Sequence, residues 1–222
     1  VSTELRSWKI LGTISTAVII AAIPLSLLKG GPSEALSGDD DPEGATFVGR
    51  EICKPCHETE FDAWLNSDHD RAMAEATDET VLGDFSDVEV SSHGITSRFF
   101  KRDGRFMVTT EGPDGEMADF EVTHTFGVEP LQQYLIPFPG GRLQCLNLAW
   151  DSDRNRWFDL NPNQVIPPGD WLHWTRAAQT WNGMCAECHS TNLKKGFDAR
   201  TRSYTTTWSE IDVSCEACHG PG

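Results

Sequence analysis

Positive charge is scarce in this chain. Its 222 residues hold 18 Lys and Arg against 34 Asp and Glu, a formal charge of −16. So acidic a surface argues against nucleic acid, whose phosphates need cations to neutralise them. It suits solubility, and it suits a basic redox carrier. Apolar residues are also few, at 38%, which is low for a well-packed core of this length. Eight Trp and eleven Phe fit a core built around flat rings. Histidine is rarer still, with 7 residues, so the places it occupies carry information.

Three of those seven His end a Cys-x-x-Cys-His pentapeptide: CKPCH at Cys53–His57, CAECH at Cys185–His189 and CEACH at Cys215–His219. Two thiols at this spacing add across the vinyl groups of a haem, and the adjoining His reaches the iron. The pattern predicts three covalently bound c-type haems. They are held by Cys53, Cys56, Cys185, Cys188, Cys215 and Cys218, with His57, His189 and His219 as axial ligands. Zinc also uses Cys-x-x-Cys pairs, but it needs four ligands and no His directly after the second Cys. Disulfides leave the His unexplained. Cys145 stands apart in the apolar run LQCLNLAW and reads as an inert buried thiol.

Ile10 to Leu28 is a run of 19 residues without a charge, long enough to cross a bilayer as a helix. Arg6 and Lys9 precede it, and Glu34 and Asp39 to Asp41 follow. The charge bias predicts a single-pass protein in the bacterial cytoplasmic membrane, with the N-terminus inside and the haem domain periplasmic or extracellular. A cleaved signal peptide is the competing reading, and the length of the run opposes it. Three segments follow: an anchor at 1–29, a Gly-, Pro- and acid-rich linker at 30–46, and a trihaem domain at 47–222.

Within the domain, ETEFDAWLNS after the first motif and DRAMAEA after it read as short helices. ITSRFFKR, RFMVTTE and ADFEVTHTF, separated by turns at Asp103-Gly104 and in GPDG, read as an antiparallel meander. LQCLNLAW and WFDL form a further hairpin. DWLHWTRAAQTWN reads as a helix leading into the second motif. The expected fold class is α+β with little regular structure: a transmembrane helix, short helices at the haem motifs and a small antiparallel meander. The second and third motifs, close in sequence, are expected to hold neighbouring haems. Gly222 lies just past His219, so cover for the third haem is expected from earlier residues, a partner subunit or further chain.

Four His remain outside the motifs: His69, His93, His124 and His173. Each is a candidate sixth ligand, which closes an iron to substrates and leaves it an electron carrier. Met73, Met107, Met117 and Met184 are the alternatives, and core packing explains Met73 and the strand Met better. His69 follows a haem-bound helix, His173 sits between two Trp, His93 lies in a loop, and His124 in a strand.

The strings FKRDGRFMVTTEGPDGE, HTFGVEPLQQYLIPFPGGRLQCLNLAWD, LHWTRAAQTWNGMCAECHST and WSEIDVSCEACHGPG resemble the multihaem cytochrome c family related to the tetrahaem cytochrome of nitrifying bacteria, many of whose members carry tetratricopeptide repeats. The resemblance covers about Phe47 to Gly222. It implies haem-mediated electron transfer, mostly bis-His ligation and closely packed haems. It also implies His69, His93 and His173 as the distal ligands, with His124 spare. The N-terminal anchor is not a general mark of that group. Together these features predict a membrane-anchored trihaem cytochrome, not an enzyme. It would relay electrons between other subunits of a membrane redox complex and a soluble carrier. Two alternatives stand beside it: a haem enzyme acting on a small nitrogen or sulfur species at an open iron, and a subunit of a conducting cytochrome filament.

Overall fold

The first motif enters on α1 (Arg50–Cys53) and is followed by α2 (Glu58–Trp64). These short helices open the computed structural model, which describes residues 44–222. Residues 46–222 form one unit. Strands then dominate: β1 (Met73–Glu75), β2 (Val88–Ser92), β3 (Ile95–Arg102), β4 (Arg105–Glu111), β5 (Met117–Val122), β6 (His124–Phe126), β7 (Leu131–Phe138), β8 (Arg142–Cys145), β9 (Leu148–Asp151) and β10 (Arg156–Asp159). α3 (Trp181–Met184) leads into the second motif, whose Cys185 precedes α4 (Ala186–His189). A ribbon of β11 (Phe197–Asp198) and β12 (Ser203–Tyr204) follows, and α5 (Cys215–His219) carries the third motif.

The expected α+β class is therefore corrected: the described residues are mostly strands, with few and short helices. The transmembrane helix expected at 10–28 lies outside the described residues. Among the described residues no helix is long and apolar enough to cross a membrane, and the single-pass membrane placement is withdrawn with it.

Two sheets carry the domain. β2-β3-β4-β5 is a four-stranded antiparallel meander, one strand more than the sequence suggests. Its first two turns are two-residue loops with both residues left-handed, His93-Gly94 (φ 52° and 86°) and Asp103-Gly104 (φ 52° and 76°). That geometry matches the twist of the flanking strands. The other sheet runs β1-β6-β7-β9-β10, with β8 also on β7. The stretch ADFEVTHTF is split between the sheets. Thr123 donates its N–H to the Leu135 carbonyl and accepts from Ala76 N–H, so β5 ends and β6 begins there.

Two expected helices are absent, each for a local reason. DRAMAEA supplies β1 instead, because Met73–Glu75 pairs antiparallel with His124–Phe126 and buries Met73. Pairing outweighs weak helix propensity over so few residues. In DWLHWTRAAQTWN only a 3₁₀ turn (Ala177–Gln179) and α3 form. Gln144, fully buried, donates from Nε2 to the carbonyls of Trp174 and Arg176, each at 2.8 Å. Both carbonyls are thereby held to β8, and the Arg176 carbonyl also accepts from Gln179 N–H in the 3₁₀ turn, not in an α-helical one.

The meander packs on the second sheet through rings. Phe99 stacks on Trp157 at 3.7 Å, and Phe85 meets Phe99, Phe106, Tyr134 and Trp157 edge-on. A smaller apolar cluster of Met73, Phe126, Leu135, Cys145, Trp181 and Ala186 lies at the second motif.

Candidate haem sites

The first and third motifs meet. Cys53, His57, Cys215, Cys218 and His219 line one cavity of about 540 Å³ together with His69, Phe61 and Trp64. Burial and the neighbouring Cys215 push the Cys53 thiol up from the ordinary thiol range. Glu216, inside the third motif, fixes the apposition. Its buried carboxylate accepts from Val48 N–H (3.0 Å) and Gly49 N–H (2.8 Å), the residues leading into α1. Orphan donors at a helix start are thereby satisfied by a carboxylate from a motif more than 150 residues away in sequence.

Arg50 of α1 ties the same region to the chain entering α5. It donates to Glu210 (2.6 Å), Asp212 (2.8 Å) and Asp70 (3.3 Å), and lies over the Trp64 ring at 4.6 Å. One guanidinium faces three carboxylates here. Burial pushes the Asp212 carboxyl up to about 6 against the opposing pull of Arg50.

The second motif joins through residues 69–72. The His69 carbonyl accepts from Val213 N–H (3.1 Å), two residues before the third motif. The Ala72 carbonyl accepts at 2.9 Å from Nδ1 of His189 in the second motif. Thr191, just past that motif, donates to the Asp212 carbonyl and accepts from Ser214 N–H. The sequence separation of the motifs suggested that the second and third lie together. The contact between first and third rests on Glu216 and Arg50, which no spacing rule singles out.

The four remaining His fall into two groups. His69 lines the cavity of the first and third motifs. His124 lies on the face of β6 shared with Phe126, whose ring meets the His189 ring edge-on at 5.2 Å. The His124 ring is 6.4 Å from Trp208, which packs on Trp181 beside the second motif. Its Nδ1 bonds Thr123 Oγ1 at 2.9 Å, which leaves Nε2 unengaged among the described residues. His93 and His173 instead line a different cavity that no residue of the three motifs lines. Cys145 is buried as expected, but it lies against Cys185 of the second motif; that neighbour, together with burial, pushes its thiol up.

A family model described as cytochrome c554 and c-prime matches residues 52–94 and 172–220. Those two stretches hold all three motifs entire. The match supports a multihaem cytochrome c. It supports an electron-transfer role and covalently bound c-type haem, and it does not exclude an enzymatic activity. No curated protein matches the chain. The crystal structure of the outer cell wall cytochrome OcwA is similar with a TM-score of 0.49 at 18% identity, over 79% of this chain and 32% of that one. The chain thus spans about a third of that cytochrome's length.

The motif residues fit the group. In each motif the first Cys is half-buried and the second exposed, so one thiol lies at the protein wall and one at the rim. His189 has its tautomer set by Ala72, with the proton on Nδ1 and the Nε2 lone pair free for a metal. Two buried donors beside the motifs have no partner among the described residues: Trp181 Nε1 before the second and Ser214 Oγ before the third. Buried polar atoms without partners are rare, and haem propionates are suitable acceptors for both.

Proposed function

We propose that residues 47–222 form a trihaem electron relay, with one haem at each motif. Cys53 and Cys56 attach the first beside His57, Cys185 and Cys188 the second beside His189, and Cys215 and Cys218 the third beside His219. The observation that carries the reading is the convergence of all three motifs on residues 69–72, with two of them in one cavity. Haem, when bound, supplies a one-electron iron couple.

The protein's own residues do the rest. Glu216 and Arg50 hold the first and third motifs in register. Ala72 fixes the His189 tautomer. The apolar cluster of Met73, Phe126 and Trp181 keeps water from the second motif. His69 is the sixth ligand on the shared cavity and His124 the one nearest the second motif, in place of His93 and His173. The acidic surface selects a basic redox carrier as the partner.

Intact mass tests the haem count: three haem masses per chain are expected. Cys185→Ser with Cys188→Ser should remove one of them. Fewer than three in the unaltered chain, or colour extracted by acid–acetone, overturns the reading. Paramagnetic resonance tests ligation. His69→Ala and His124→Ala should each add a high-spin signal, while His93→Ala and His173→Ala should not. The reverse pattern overturns the ligand assignment and leaves the relay standing.

A further inference from the structure

The cavity that the haem motifs do not line has its own chemistry. It measures about 440 Å³, within the range of small-molecule sites. Two imidazole–carboxylate pairs line it. His173 Nε2 stands 3.5 Å from Glu111 Oε2, and His93 Nε2 stands 3.9 Å from Asp159 Oδ2. Both separations exceed a normal hydrogen bond, so neither pair is spent on itself.

Each imidazole is positioned. His173 Nδ1 lies 2.9 Å from Thr175 Oγ1 and 3.4 Å from Thr175 N; accepting there from Thr175 puts the ring proton on Nε2, facing Glu111. Burial lowers the His173 pKa and keeps the ring neutral. His93 occupies a left-handed position in the β2–β3 turn, where Asn, Asp or Gly is usual. Its Nε2–H donates to the Asn161 carbonyl at 3.0 Å. Asp159 braces that turn by accepting from Ser92 Oγ and Asn161 N–H. Val165, Ile166, Pro167, Leu172 and Trp174 supply apolar wall.

Charge and size narrow the ligand. No Lys or Arg is among the residues that line the cavity, and two carboxylates are. Anions such as nitrite or a carboxylic acid are therefore repelled. The volume far exceeds a diatomic or triatomic species. A hydroxyl group both donates to Glu111 and accepts from His173 Nε2–H, and a flat ring packs on Trp174 and Pro167. We propose that this cavity binds a small neutral aromatic molecule bearing two hydroxyls, a dihydric phenol, with one hydroxyl between Glu111 and His173 and the other toward His93.

Calorimetry on the full haem-loaded chain tests this with resorcinol, a dihydric phenol that does not form a simple quinone. Saturable binding is expected, and 4-hydroxybenzoate, the same ring with a negative charge, should bind at least about tenfold more weakly. Glu111→Gln should weaken resorcinol about tenfold, the loss of one charged hydrogen bond. Val165→Trp, at a position 68% exposed, should block the cavity with the haem spectrum unchanged. Absence of binding, equal binding of 4-hydroxybenzoate, or resorcinol affinity unchanged in Val165→Trp overturns the proposal. None of these outcomes touches the haem count, which mass alone decides.

Discussion

The strand side and the haem-motif side of this chain are built on opposite principles. The strand side completes itself: Phe99, Val108, Tyr134 and Leu146 are wholly buried, and the rings of Phe85, Phe99 and Trp157 fill one another's faces. The motif side does not. Its helices run four to seven residues, shorter than any helix stable alone. Ile52 is 67% exposed and Met184 62%. Buried Trp181 Nε1 and Ser214 Oγ lack partners among the described residues. The first side is a core of stacked rings, and the second joins a smaller apolar cluster at the second motif to charged braces between the first and third. The difference teaches where the scaffold lies: the sheets bury their own rings, and the motif side is held by residues distant in sequence.

Phe99→Ala is the strongest blow to that division. The ring is fully buried and stacked at 3.7 Å on Trp157. Its removal should cost about 3–5 kcal/mol, read as a lower denaturant midpoint at unchanged slope. Loss confined to the motif side, with the sheet amides still protected from hydrogen exchange, would show that the sheets are not the scaffold.

Glu216→Gln probes the braces. One carboxylate accepts from Val48, Gly49 and Gly222 N–H groups. An amide keeps one acceptor and turns a donor toward the others, for about 1–3 kcal/mol. The effect should fall on amides of 47–57 and 213–219 by hydrogen exchange, with β3 and β4 unaffected. Equal deprotection of both sides would erase the comparison drawn above.

Much of the scaffold was legible before folding. The Asp103-Gly104 turn, the alternation in ITSRFFKR and RFMVTTE, and the hairpin ending in WFDL are local signals, and the strands lie where those signals put them. What failed depended on distant partners. Met73–Glu75 became a strand because β6 pairs with it, and 170–182 lost its helix to Gln144. The pentapeptides announced the haem chemistry, because covalent attachment writes itself into adjacent residues. A sixth ligand carries no such local mark, because it can come from anywhere in the chain. Position in sequence favoured His173 over His124. The ring contacts of Phe126 and Trp208 bring His124 to the second motif, while His173 points its chemistry at Glu111. The alternation that places His124 and Phe126 on one strand face was the available signal.

The smallest expected effect separates the two sides by pH. Asp212 is buried against Arg50, near Asp70 and Glu210, and its carboxyl is raised from 3.8 to about 6. Between roughly pH 4 and 6 the folded chain therefore binds a proton that the unfolded chain releases. More protons in the folded state mean that this group's contribution to stability is greatest at the low end. It falls as pH rises through the window and is least above it. Asp212→Asn removes the titrating group. Wild-type stability minus variant stability should thus decline from pH 4 to 6 and level off beyond. Other carboxylates titrate in both proteins and cancel in the difference. Phe99→Ala, paired with wild type in the same way, should give a difference that stays flat across the window, because the substitution removes no titrating group. A flat difference for Asp212→Asn as well would mean that the three-carboxylate cluster is solvated like a surface, and the motif side would lose its distinction as a region braced by buried charge.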